Sequence, residues 1–219
     1  MTAVSLEEGI FISFEGIDGS GKSTQMERTA EFIRSRGYSV LATREPGGTE
    51  LAERIRKVLL DAKMEGKVTS KAELLLYLAS RHQHSKEIIE PFLDGGGVVL
   101  TDRYADSSTA YQGVGRGLGV ELVEGLNELV IPRWPDLTVL IDIPAEIAIL
   151  RTGGRDLDRL ESEGVEFQER IRRGYIELAK RHPERICVVE SREDKDETTA
   201  EVLRVIGTFF DKIERLYNG

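Results

Sequence analysis

A three-layer α/β architecture around a mainly parallel sheet, in one domain over residues 1–219, is expected of this chain. Three features carry that expectation. Strand-like and helix-like segments alternate five times, with no internal repeat and no low-complexity linker. Val98-Val99-Leu100-Thr101-Asp102 and Leu137-Thr138-Val139-Leu140-Ile141-Asp142 are near-continuous apolar runs closing on an acid, the pattern of strands covered on both faces. A glycine-punctuated turn joins the first strand to the helix after it.

That first strand reaches Phe14 from Ile10, and the helix is expected to run from Gln25 to Arg36, closed by Gly37. Tyr38 to Thr43 reads as a short strand, and Arg44-Glu45-Pro46-Gly47-Gly48-Thr49 as a loop, since Pro cannot donate to a sheet and two glycines free the backbone. Leu51, Ile55, Val58 and Leu59 mark one face of a helix ending near Asp61, and Ala62 to Val68 is a polar connection. Thr69 caps one long helix that continues to Phe92, stopped by Gly95-Gly96-Gly97. Beyond the third strand, helices are expected at Ser107 to Gln112 and Gly119 to Val130. Pro132 and Pro135 introduce the fourth strand. A helix from Ala145 to Arg151 follows, then a break at Thr152-Gly153-Gly154-Arg155-Asp156, a helix from Glu166 to His182, a strand from Ile186 to Val189 and a final helix from Glu197 to Tyr217.

Composition narrows the classes. Hydrophobic residues make up 40% and charged residues 32% of the chain, an ordinary globular balance. No apolar run approaches the ~20 residues of a membrane span, and Met1 to Gly9 carries Glu7 and Glu8 instead of a basic, then apolar, leader. A cytoplasmic protein without membrane contact is expected. A net charge of −9 with no block of Lys or Arg argues against nucleic-acid binding, while loop arginines suit a small anionic ligand. Cys187 is the one cysteine and is expected in the core; His82 and His84, at i and i+2 on a helix, are expected as solvated side chains.

The chemistry centres on Gly16-Ile17-Asp18-Gly19-Ser20-Gly21-Lys22-Ser23-Thr24, which matches G-x-x-x-x-G-K-[ST] between a strand and a helix. Backbone N–H groups, unobstructed at Gly16, Gly19 and Gly21, can converge on phosphate oxygens at a positive helix end. Lys22 would reach the β- and γ-phosphates, and Ser23 would join a Mg²⁺ shell. Asp102 ends its strand where it can hold Mg²⁺ opposite Ser23, or else form a structural ion pair with Arg103. Gly153-Gly154, flanked by Arg151, Arg155 and Arg159, reads as a hinged flap at about 151–161 or as a solvated basic loop. Tyr77 and Arg81, at i and i+4, can address one base from a helix or belong to a buried face.

Glu15 through Thr24, Thr43-Arg44-Glu45-Pro46-Gly47-Gly48-Thr49, Asp102-Arg103-Tyr104 with Ala110-Tyr111-Gln112-Gly113, and Asp158-Arg159-Leu160-Glu161 together closely resemble thymidylate kinase. The resemblance implies a phosphate-loop NTPase fold with strand order 2-3-1-4-5, and an enzyme that moves the γ-phosphoryl of ATP to dTMP with Mg²⁺, usually as a homodimer. It implies Arg44 and Arg103 as clamps on the acceptor phosphate, with Pro46 beside it, Tyr77 stacking on thymine where the family has Phe, and Arg81 on the base edge. Ser107, Ser108, Tyr111 and Gln112 would lie beside base and deoxyribose, with Ser108 or Gln112 on the thymine edge. Asp18 would face the acceptor's 3′-hydroxyl and the metal shell. Since the loop between Gly16 and Lys22 holds no Arg, the catalytic guanidinium would come from the lid, with Arg155 leading over Arg151 and Arg159; Arg151 would otherwise lie against adenine. A kinase for another nucleotide or a deoxynucleoside is the alternative enzyme. A switch ATPase is disfavoured, since no D-x-x-G follows the strand ending at Asp102 and the chain has no N-K-x-D motif.

Overall fold

The structure, a computed structural model, describes residues 8–153, 159–160 and 163–217. Strands β1 (Ile10–Glu15), β2 (Val40–Arg44), β3 (Val98–Asp102), β4 (Leu137–Asp142) and β5 (Ile186–Glu190) form one sheet in the order β2-β3-β1-β4-β5. Every pairing is parallel. A wholly parallel sheet needs a crossover after each strand, and the helices of those crossovers cover both faces.

The alternation along β1 shows how the layers arise. Ile10, Ile12 and Phe14 pack with Met26, Ala30 and Ile33 of α1 (Lys22–Ser35) and with Val202, Ile206 and Phe210 of α9 (Lys195–Tyr217). Phe11, one residue out of phase, packs on the opposite face with Ile89, Leu93 and Tyr104. Farther along that second face, Leu140 and Ile186 meet Ile171, Tyr175 and Leu178 of α8 (Val165–Arg181). Cys187 is only half-buried and flanks the first layer, so it is a margin residue and not a core one.

Register then sets the working edge. Phe14 is level with Asp102, and Asp102 with Arg44, so β1, β3 and β2 end side by side. The phosphate loop, the acid and the Arg44 loop therefore emerge together at the carboxyl end of the sheet.

Two helices differ from expectation. The stretch after Thr69 is three pieces: α3 (Ser70–His84), a π turn at Ser85–Ile89 and α4 (Glu90–Asp94). Pro91 has no N–H to return to Glu87, so the ladder widens just before it. The segment expected as a helix from Ser107 is α5 (Ala105–Ser108) followed by a π turn at Thr109–Gly115. Phe167 of α8 comes within 3.1 Å of where a Cβ at Gly115 would stand, so the tight packing of this turn rests on the glycine. In α2 (Glu50–Leu60) the expected apolar stripe divides: Leu59 is buried, whereas Leu51 and Val58 are about half exposed. His84 is fully buried, with Nε2 2.7 Å from Thr43 Oγ1 and Nδ1 3.2 Å from Glu45 Oε1; packing across to the Arg44 loop, invisible from its own helix, decides this. The remaining helices, α6 (Val120–Val130) and α7 (Ala145–Thr152), fall where expected.

Candidate active site

The loop after β1 holds its shape through glycine. Gly19 has φ +84°, and a Cβ there would stand 2.3 Å from the Ala148 carbonyl oxygen, so loop and α7 approach as closely as they do only without a side chain. Gly21 precedes α1 in the left-handed conformation and provides no side-chain cap, and the first turn of α1 carries no acid. The positive end of that helix is thus open to an anion. Ile17 turns its side chain into the core beside Ala148, leaving its backbone to the loop, where its carbonyl accepts from Ser20 N at 3.2 Å.

Lys22 Nζ lies 3.1 Å from Asp18 Oδ1 and 4.0 Å from Asp102 Oδ1. Ser23 Oγ donates to Asp102 Oδ2 at 2.5 Å. Asp102 Oδ1 is buried without a hydrogen-bond partner among the described residues. A hydroxyl and one acid with an unused oxygen suit a hard divalent cation that takes its remaining ligands from phosphate and water.

Arg103 does not pair with its neighbour Asp102. Its Nη2 donates to Asp18 Oδ1 at 2.9 Å and to Tyr111 OH at 3.0 Å, and its Nη1 to Tyr175 OH at 3.1 Å and Ser107 Oγ at 3.2 Å. Its φ of 72° is the one positive value at a non-glycine position among the described residues. Burial disfavours charge on Asp18, but the Arg103 and Lys22 cations outweigh it and hold the carboxyl well below the usual carboxylate range.

Glu15 lies under this array with no exposure. Its carboxyl accepts from Tyr104 N at 2.7 Å, Ser107 Oγ at 2.6 Å and Tyr175 OH at 2.9 Å. Burial, then the neighbouring Asp106 carboxylate, push its pKa up to about 7.

Two cavities open here, each of about 480 Å³, within the range of small-ligand sites. One runs from the phosphate loop, Thr24 included, to Arg151 and the Ser191–Thr198 segment. Arg151 donates to Ser191 Oγ at 2.9 Å and to the Arg192 carbonyl at 3.0 Å, and Ser191 Oγ donates to the Ser20 carbonyl at 3.0 Å, which ties this wall to the loop. The other is lined by Arg44, Pro46, Tyr77, Arg81, Arg103, Ser107, Ser108, Tyr111 and Gln112. Asp18, Lys22 and Ser23 belong to both.

Most residues singled out in the sequence meet at these cavities, in unequal roles. Arg44 is half exposed and held by Glu53 at 2.8 Å. Arg81 is almost wholly buried: Nε donates to Glu45 at 2.8 Å, Nη1 to Ser108 Oγ at 2.9 Å and Asn127 Oδ1 at 2.7 Å, and Nη2 to the Tyr104 carbonyl at 2.9 Å. These bonds fix its plane and occupy four of the five N–H groups of a guanidinium. Arg159 is anchored in the interior by Glu73 at 2.7 Å and the Leu59 carbonyl at 2.8 Å, far from the role of a mobile cation. Arg155 lies outside the described residues. Sequence reasoning missed Glu15, Glu73, Tyr175 and Arg56. Arg56 lines the second cavity and donates to the Pro46 carbonyl at 2.8 Å, and its place on α2 among the charged residues Glu53, Arg54 and Lys57 gave no signal distinct from its solvated neighbours.

The family model for thymidylate kinase matches residues 14–202. The chain is 43% identical over 206 residues to a thymidylate kinase of Nitratidesulfovibrio vulgaris, covering 90% of this chain and 95% of that one. It is 46% identical over 195 residues to one of Syntrophotalea carbinolica, covering 85% and 90% respectively. The crystal structure of thymidylate kinase from Ehrlichia chaffeensis superposes with a TM-score of 0.75 at 38% identity, over 91% of this chain and 99% of that one. By the family model's match and by identity over most of its length, the chain belongs to the thymidylate kinase family.

Proposed function

We propose that this protein is an ATP:dTMP phosphotransferase, a single kinase domain with a lid at about residues 151–161, producing dTDP and ADP. The observation that carries the reading is the overlap of the two cavities at Asp18, Lys22 and Ser23. ATP in one and dTMP in the other would bring γ-phosphorus and acceptor phosphate together there, as an in-line displacement requires. An acceptor phosphate oxygen bonds to the γ-phosphorus as the bond to the β–γ bridging oxygen breaks, and that oxygen leaves on ADP. No protein nucleophile takes part.

Charge is what the residues must manage. Lys22 and Arg103 neutralise the transferring group and the acceptor, with Arg44 on the acceptor's outer oxygens. Arg103 arrives pre-aimed, because Asp18, Tyr111, Tyr175 and Ser107 already fix its fork. Ser23 and Asp102 would hold Mg²⁺, which supplies charge neutralisation on the donor phosphates. Arg155 supplies the lid cation in this reading, and Arg151 borders the adenine side of the donor cavity. Tyr77 offers its ring to the pyrimidine, Arg81 and Gln112 its polar edge, and Tyr111 closes the space beside C2′ against a ribose hydroxyl. We place the enzyme in the cytoplasm as a homodimer: Leu51 and Val58 on α2, Leu75 on α3, and Leu122 and Leu129 on α6 leave apolar surface exposed on three packed helices. No described helix is long and apolar enough to cross a membrane.

A coupled ADP-release assay across nucleoside monophosphates and nucleosides tests the reading. dTMP-dependent ADP formation, with dTMP the preferred acceptor, is expected. Equal ATP consumption with no acceptor, or a clear preference for a nucleoside or another monophosphate, overturns it.

A further inference from the structure

Glu73, Tyr77 and Arg81 recur at i, i+4 and i+8, so they share one face of α3. Tyr77 and Arg81 line the acceptor cavity, and Glu73 sits one turn beyond them with no exposure. A buried carboxylate in that position calls for a reason, and its partners supply one. Gln112 Nε2 donates to Glu73 Oε1 at 2.8 Å. Arg116 donates through Nε and Nη2 to Oε1 and Oε2, each at 3.3 Å, and Arg159 Nη1 stands 2.7 Å from Oε2. Burial works against charge on Glu73, yet the Gln112 amide and the Arg116 and Arg159 guanidinium groups hold its carboxyl below the ordinary range.

An ionised carboxylate only accepts, so the end of the Gln112 amide that faces it must be the NH₂. An amide rotated by half a turn exchanges its donor and acceptor ends at almost no cost in shape. That rotation is also the difference between two pyrimidines. Thymine and uracil present a ring N–H beside a carbonyl; cytosine presents a bare ring nitrogen beside an amino group. A free glutamine serves either by turning over. One tethered by its nitrogen cannot.

We propose that Glu73 is a specificity-positioning residue: by tethering the Gln112 amide it leaves a fixed carbonyl acceptor toward the base, so the site admits imide pyrimidines and rejects cytosine. The inference rests on the acceptor being a pyrimidine monophosphate, as read above. Glu73 acts through Gln112 and touches neither substrate nor reacting phosphate. A site built to hydrogen-bond one pattern leaves buried groups unpaired against the reverse pattern, which is where large discrimination ratios come from.

The test is Glu73→Gln, in which residue 73 can itself turn over and let Gln112 follow. For the whole protein, kcat/KM is measured with dTMP, dUMP and dCMP at saturating ATP. The dTMP-to-dCMP ratio should narrow by about tenfold or more, while the dTMP-to-dUMP ratio, shared by two imides, stays put. A merely structural role would lower all three together, and that result, or no change in the ratio, overturns the proposal. Should the variant fail to fold, the wild-type protein carries the test: the Gln112 side-chain amide resonance, assigned by its loss in Gln112→Ala, should show an N–H protected from exchange without any nucleotide. Rapid exchange there overturns it. Wild-type enzyme that ignores dTMP would count against the proposed function instead, so the two failures read differently.

Discussion

Replacing Glu15 by Gln isolates the electrostatic cost stored beneath the clamp of groups around Arg103. In the folded protein Glu15 has its pKa raised from 4.5 to about 7 by burial and by Asp106. A carboxyl whose folded pKa is raised binds its proton more tightly folded than unfolded. Its contribution to stability is complete below pH 4.5 and is lost progressively as pH rises through 7. The span between the two values corresponds to about 3 kcal/mol. Most of that falls between pH 5 and pH 8. With a urea slope of about 2 kcal/mol per molar for a chain of this size, the wild-type midpoint should drop by about 1 M over that range through Glu15 alone.

Glutamine keeps an acceptor for Tyr104 N and cannot ionise. Titrating groups that do not interact with Glu15 are common to both proteins and cancel in the difference, which leaves Glu15 and its interaction with Asp106. Urea unfolding of both at pH 5, 6, 7 and 8 should therefore show the variant gaining on wild type by about 2–3 kcal/mol from the lowest to the highest pH. A difference that stays flat across the series would refute the reasoning, since it would mean that Glu15 ionises in the fold as readily as in water.

Three further outcomes follow from the geometry. Asp18→Asn removes the charge that holds Arg103 at 2.9 Å and Lys22 at 3.1 Å, and kcat/KM for dTMP should fall by about 10- to 100-fold in steady-state assays. Gly48→Ala places a Cβ 2.5 Å from His84 Cδ2 at a φ of +88°; about 1–3 kcal/mol should be lost, and the KM for dTMP should rise while that for ATP holds, because the shifted loop carries Arg44. Paired Leu122→Glu and Leu129→Glu put charge on the exposed side of α6 and should turn the proposed dimer into a monomer in sedimentation velocity, with the far-UV spectrum unchanged.

What the sequence made legible was local, and what it hid was assembled across the chain. The phosphate loop could be read because its glycines, Lys22 and Ser23 are consecutive and their meaning depends only on a strand before and a helix after. The apolar runs ending at Asp102 and Asp142 likewise announced buried parallel strands. The clamp could not be read in the same way. Its members at 15, 18, 103, 107, 111 and 175 come from β1, the loop after it, the β3 end, the α5 region and α8, and only the fold makes them neighbours. His84 shows the same limit from the other side: helix periodicity describes which way a side chain leaves its own axis, and says nothing about the Arg44 loop that arrives to cover it.

Arg103 shows why local propensity fails where the site begins. An extended residue would continue β3; a left-handed one turns the chain at once, at a cost of about 1–3 kcal/mol. Three contacts hold that turn: Arg103 N donates to the Phe14 carbonyl at 2.9 Å, Thr101 Oγ1 to the Arg103 carbonyl at 2.9 Å, and Tyr104 N to Glu15 at 2.7 Å. Because Phe14 and Glu15 are also the last residues of the strand that launches the phosphate loop, the same two positions fix where that loop starts and where the Arg103 side chain begins. Movement of β1 would carry both together, so the distance between them is set by the sheet and not by either loop.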